Sequence, residues 1–147
     1  MSKEYVYSYT EIEDNGEIRA NAVCTIYTKD DMFYGIAKFN PEDIKFRKPS
    51  KFVGLDIATI RAEVQMAKAD QRKFKAELKA LDKYINTIKN FKGVTEHDIK
   101  TAYRYRGILN KKLVRTDIFI KNSKLKIEEI IDGVARTKTV GKTDEIQ

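Results

Sequence analysis

The sequence is short of the residues that most often carry chemistry. It has one cysteine, one histidine, two prolines and no tryptophan in 147 residues. A lone Cys24 excludes an internal disulfide and fits a reducing compartment. One histidine and one cysteine cannot supply a usual zinc site. The seven glycines are scattered, so no Gly-rich phosphate loop is present. No Ser–His–Asp or Cys–His grouping forms around His97, which lies in a helix-start sequence. The neighbouring pairs Asp30–Asp31 and Glu42–Asp43 read as solvated turn-formers. The expectation is a protein that is not an enzyme and holds no metal or cofactor. No apolar run approaches the roughly 20 residues of a membrane span. The opening MSKEYVYSY has neither the apolar core nor the cleavage site of a signal peptide.

What is present is charge, and one long periodic stretch. Charged residues make up 35% of the chain and hydrophobic residues 41%, which suits an elongated, soluble molecule. The net charge of +7 invites an anionic partner, although a basic, highly soluble surface would account for it equally. Between Asp56 and Asn90, Ile57, Ile60, Val64, Ala67, Gln71, Phe74, Leu78, Leu81, Ile85 and Ile88 recur at steps of three and four. Neither Gly nor Pro interrupts them. That is one amphipathic helix with a narrow seam, which predicts contact with another helix of this chain or of a second copy. Gln71 in the seam either fixes register or faces water where the partner helix has ended.

Residues 5–39 read as a three-stranded antiparallel meander. Asp14-Asn15-Gly16 signals a type I′ hairpin. Ile18, Ala20, Ala22, Cys24 and Ile26 alternate with Arg19, Asn21, Val23, Thr25 and Tyr27, so a small apolar face should pack closely on the long helix. Gly35 marks a bulge or a close approach. Asn40-Pro41-Glu42-Asp43 ends the sheet, and a basic loop with Lys45, Arg47 and Lys48 follows. Ser50 or Gly54 marks the approach to the helix. After Gly93, Thr95 to Asp98 offers a variant capping box, and Ile99, Ala102, Arg106, Leu109 and Leu113 continue a second helix, antiparallel to the first. The predicted fold is α+β: 1–122 a single domain (sheet 5–39, long helix 56–91, second helix 96–121), with 123–147 a partly ordered extension.

Binding is better supported than catalysis. From Lys89 to Arg115 there are eight basic residues, opposed only by Glu96 and Asp98, with Phe91, Tyr103 and Tyr105 among them. Guanidinium groups grip phosphates and aromatic faces stack on bases. This suits a nucleotide, a cyclic nucleotide or single-stranded nucleic acid; a solvated helix face is the bland alternative. Arg106 falls on the apolar register of the second helix. It either reaches a pocket edge or pairs with Asp82 or Glu77.

Three segments carry a family resemblance: Gly35-x-Ala37 leading to Pro41-x-Asp43, then Gly54-x-x-Ile57-Ala58-x-x-Arg61-Ala62, then Glu77-Leu78-Lys79-Ala80-Leu81. Together, over roughly residues 5–115, they resemble the phage Thoeris anti-defence sponge family (Tad-type 1), small proteins with an N-terminal sheet and a helical hairpin. The resemblance implies sequestration, without cleavage, of a cyclic ADP-ribose-type immune signal or a cyclic oligonucleotide, in the cytoplasm of an infected bacterium. It also implies a homo-oligomer, here placed through the long helix. The implied ligand residues are Phe91 or Tyr84 for stacking, Asn90 as an amide, Arg106 or Arg104 on the pyrophosphate, Tyr103 beside them, and Arg19 from a strand. The competing readings are a nucleic-acid-binding protein and an inhibitor that grips a host defence protein through the helical hairpin.

Overall fold

The computed structural model of the chain describes residues 2–39 and 50–146, with side chains placed except at Asp14 and 134–146. The Asn40–Asp43 turn and the basic residues of the loop after it, Lys45, Arg47 and Lys48, lie outside the described residues. The elements are β1 (Glu4–Asp14), β2 (Glu17–Tyr27), β3 (Met32–Phe39), α1 (Lys51–Ile88) and α2 (Glu96–Ile146). They group into two compact units, residues 1–66 with 122–147, and residues 67–121. The architecture is the expected α+β arrangement of an antiparallel sheet, in the order β1-β2-β3, followed by two helices.

The sheet unit is set by its turns and by one tight contact. Asn15 and Gly16 both take positive φ, 52° and 81°, as a type I′ turn requires, and Asp14 pairs with Glu17 across it. The second turn is held by Thr28, whose N–H donates to the Asp31 carbonyl at 2.9 Å and whose Oγ1 accepts from Asp31 N–H at 3.0 Å. Ala22, Cys24 and Ile26 on β2 form the core with Ala58 and Ala62 of α1. The β2–β3 register runs unbroken past Gly35, so Gly35 is not a bulge but a close approach. A Cβ there would fall 2.2 Å from the Ala58 carbonyl oxygen and 2.4 Å from Ala62 N. Arg61 Nη1 also donates to the Ile36 carbonyl at 2.7 Å. Small residues on both elements let the backbones meet, and one side chain then fastens them.

Helix boundaries differ from the periodic reading. α1 begins at Lys51 rather than Asp56, because Ser50 caps it: Val53 N–H donates to Ser50 Oγ at 3.3 Å and Gly54 N–H to the Ser50 carbonyl at 2.9 Å. Gly54 sits inside the helix, where a Cβ would crowd Ala22 at 3.0 Å. The helix stops at Ile88, not 91, in a tightened turn of three-residue bonds from Asn90 N–H to Thr87 and Phe91 N–H to Ile88. Gly93 follows at φ 89°. The largest difference lies beyond 121. The fading apolar signal ended the second helix at 121 and left 123–147 as a partly ordered extension, with Leu125, Ile127, Ile130 and Ile131 open to a short helix or strand; α2 continues to Ile146. No proline follows Pro49 to stop it, and Ser123 is buried within it.

The start of α2 is the predicted capping box. Thr95 N–H donates to Asp98 Oδ2 at 3.1 Å and Asp98 N–H donates to Thr95 Oγ1 at 3.2 Å. The Thr95 backbone donor, with help from its hydroxyl, holds the Asp98 carboxyl below its ordinary value. A carboxyl lowered in the folded state contributes stability that is complete above its unfolded pKa and is lost as pH falls through the folded one. Thr95→Ala removes the hydroxyl that caps Asp98 N–H while keeping the backbone donor to the carboxylate, and is expected to cost about 1 kcal/mol at neutral pH. The gap to wild type should narrow only slightly as the solution is acidified through the carboxylate range, because both proteins keep the Thr95 N–H bond to Asp98. Urea titrations of both proteins at several pH values would check this; a gap that widens in acid would contradict it.

The α1 seam is sheltered within the single chain. Ile57, Ile60, Val64, Ala67, Ile85 and Ile88 are buried, while Gln71, Phe74, Leu78 and Leu81 are half-buried. Gln71 thus belongs to the partly covered middle of the seam rather than to a water-facing end.

Candidate functional site

The helical unit, residues 67–121, carries 15 Lys and Arg against 6 Asp and Glu, a net +9 that exceeds the +7 of the whole chain. Four contacts set the two helices antiparallel and give the pair two distinguishable sides. On the first side Arg106 Nε meets Asp82 Oδ1 at 2.7 Å, and Lys89 Nζ lies 5.4 Å from the centre of the Tyr103 ring. On the second, the Tyr105 hydroxyl donates to Glu77 Oε2 at 3.2 Å, and Lys112 Nζ lies 5.5 Å from the Phe74 ring. The Glu77 carboxylate, by accepting that bond, pushes the Tyr105 phenol up.

Helix geometry assigns the remaining residues, since positions seven apart return to nearly the same face. Lys68, Lys75, Asp82 and Lys89 share the first side. Asp70, Glu77 and Tyr84 share the second. The residues named for ligand binding are therefore divided. Tyr103 and Arg106 come together on the first side. Tyr84 stands with Glu77 on the other. Arg104, between Tyr103 and Tyr105, occupies the outermost face of α2. Asn90 and Phe91 follow the end of α1, both exposed; Asn90 Nδ2 donates to the Asn86 carbonyl at 3.4 Å, and Phe91 is 60% exposed. Arg19 lies on the face of β2 opposite the Ala22 and Cys24 core, in the other unit. Of the two roles open to Arg106, the structure shows the ion pair with Asp82. Both partners are substantially solvated, so the pair contributes little stability. Tyr103 is 45% exposed.

One feature escaped residue-by-residue reading. Lys68, Arg72, Lys75, Lys79 and Lys83 follow steps of four, three, four and four, so they form a ladder along the first side of α1. All but the half-buried Lys68 are exposed. Asp82 is the one acid on this side of residues 67–89, and it is engaged by Arg106. The signal was available: it has the same three-four spacing as the seam, displaced around the helix. Like charges at i, i+4 disfavour a helix by about 0.2–0.5 kcal/mol per pair. The ladder thus works against the stability of α1 and gains from an anion laid along it.

The recesses of the sheet unit have a different character. One of about 440 Å³ lies among Tyr7, Phe52, Asp56, Thr59, Glu63 and Lys126. A smaller apolar one of about 70 Å³ lies among Tyr9, Ala20, Phe39, Val53 and Ile57. Neither gathers cations for a phosphate.

No family model matches the chain, and no curated protein or solved structure matches it. Five of the motif residues behind the sponge resemblance have a packing role. Gly35, Ala58, Arg61 and Ala62 are the close sheet–helix contact, and Gly54 faces Ala22. They report packing that any chain seating a helix this close to a strand would need.

Proposed function

We propose that the helical unit is a non-catalytic module that binds the phosphate backbone of nucleic acid. The observation that carries this reading is the ladder from Lys68 to Lys83. It places five cations about one helical turn apart over roughly 22 Å, a linear array suited to a chain of phosphates. The exposed Tyr103, against Lys89 beyond the end of the ladder, offers a stacking face for an unpaired base. Phosphate contacts supply affinity without reading sequence, so binding should tolerate any sequence and weaken steeply with salt. With five phosphates neutralised, log K should fall against log salt with a slope of roughly −3.5 on single strands. Fluorescence anisotropy with a labelled oligonucleotide over a salt series tests it. A slope near zero, or no binding at low salt, would end the reading.

A second reading keeps the sponge. Tyr103 and Arg106 converge on one side of the hairpin near its closed end, with Asn90 in the adjoining turn. A stacked adenine and a gripped pyrophosphate would need such groups, and capture without cleavage of a cyclic ADP-ribose-type signal in an infected cell would follow. Self-association through the long helix, also implied there, would use the half-buried stretch of the seam from Gln71 to Leu81. Arg106→Ala separates the two readings. On the ladder reading it removes one cation of many, leaves Asp82 exposed among lysines, and costs oligonucleotide affinity only several-fold. On the sponge reading it abolishes calorimetric binding of cyclic ADP-ribose isomers.

A further inference from the structure

The sheet has a second face, and it is open. Opposite the α1 contact, the register aligns rows across β1, β2 and β3: Glu4–Tyr27–Met32, Val6–Thr25–Tyr34, Ser8–Val23–Ile36, then Thr10–Asn21–Lys38, and Ile12 beside Arg19. Val6, Ile12, Tyr27, Met32 and Tyr34 on it are exposed, Tyr34 by 56%. Val23 and Ile36 lie half-buried at the centre. An apolar band of this kind on a sheet is a contact surface looking for cover.

We propose that this face is covered by the same face of a second copy, the two sheets packing about a two-fold axis that runs across the strands through the Ser8–Val23–Ile36 row. Charge complementarity selects that occupant and that axis. The two tyrosines sit towards one end of the face and the two cations towards the other. Rotation about the central row lays Tyr27 over the second copy's Arg19, and Tyr34 over its Lys38. Cations over tyrosine faces are favourable pairs, more so once desolvated. The same rotation brings Glu4 beside the second copy's Arg19. An axis along the strands would instead set Arg19 against itself. Val23 and Ile36 each meet their own counterpart at the centre, as an isologous contact requires. Three strands and five rows give a footprint of roughly 14 by 27 Å, below the standard interface and in the range of reversible association.

Sedimentation velocity over a concentration series tests this with the full chain. Wild type should pass from monomer to dimer as concentration rises. Tyr34→Glu, at an exposed position, should remain monomeric with unchanged circular dichroism. Val23→Asp and Val23→Lys, each repelling its own copy on the axis, should also be monomeric. An equimolar mixture of those two should regain the dimer. A wild type that stays monomeric at the highest concentration leaves the face to some other occupant and overturns the proposal. So does a dimer that survives Tyr34→Glu, or a mixture of the Val23 variants that fails to pair.

Discussion

Gly35→Val should unfold the sheet unit. The new Cβ would meet the Ala58 carbonyl oxygen at 2.2 Å and Ala62 N at 2.4 Å, with Arg61 Cβ at 2.8 Å. Two of the three are backbone atoms of α1, which no rotamer change can move. Relief requires lifting β3 from the helix, which opens the core of Ala22, Cys24, Ile26, Ala58 and Ala62 and strains the Arg61 bond to Ile36. Overpacking in a core that can give costs 1–3 kcal/mol; here the neighbours cannot give, so about 3 kcal/mol or more is expected. That is a large share of the 5–15 kcal/mol typical of a whole domain. Gly107→Ala is the contrasting case. Nothing lies within 4 Å of its Cβ, so the higher helix propensity of alanine should add about 0.5–1 kcal/mol. Thermal melts of both variants followed by circular dichroism would decide it. A Gly35→Val protein melting with wild type would refute the packing account.

Reversing three rungs of the ladder, Arg72→Glu with Lys75→Glu and Lys79→Glu, is the second large effect. The substitutions change the charge of the helical unit from +9 to +3 and place carboxylates where phosphates would lie. Oligonucleotide binding should fall by at least about a thousandfold at low salt, since both the released counterions and the steering field are lost. Helicity should be retained, because arginine and lysine give way to another good helix former on a solvated face. The matched reversal of Lys100, Arg104 and Lys111, on the outer face of α2, lowers net charge equally. It should weaken binding much less if the ladder is the contact. Equal losses from the two triples would mean that bulk charge, not the ladder, holds the ligand.

The sheet was legible because its signals are local and redundant. Asn15-Gly16 admits almost one turn type, and the small residues Ala20, Ala22 and Cys24 mark the face that meets the helix. The capping box at Thr95 and Asp98 was legible for the same reason, being a four-residue hydrogen-bonding unit. The end of α2 was not: Ile127 and Ile130 keep the three-four spacing from Ile120, but the polar Ser123 interrupts the apolar run and Gly133 lies beyond it, so the pattern is read only once Ser123 is known to be buried. The candidate site was half legible. Composition pointed to cations and rings between Lys89 and Arg115. Which of them share a side depends on phase around two antiparallel helices, and a linear list of charges hides that phase. The ladder has the three-four spacing of the seam, displaced around the helix, and is legible in the basic residues alone.

Cys24 has no exposed surface, sits beside the Ala58–Ala62 contact, and has its thiol raised by burial. No other cysteine competes with it. An alkylating reagent can therefore reach sulfur only during the moments when strand and helix part, and the rate of adduct formation becomes a stopwatch for that parting. The protein carries its own single-hit clock for one half of the molecule, silent about the other, readable by mass alone.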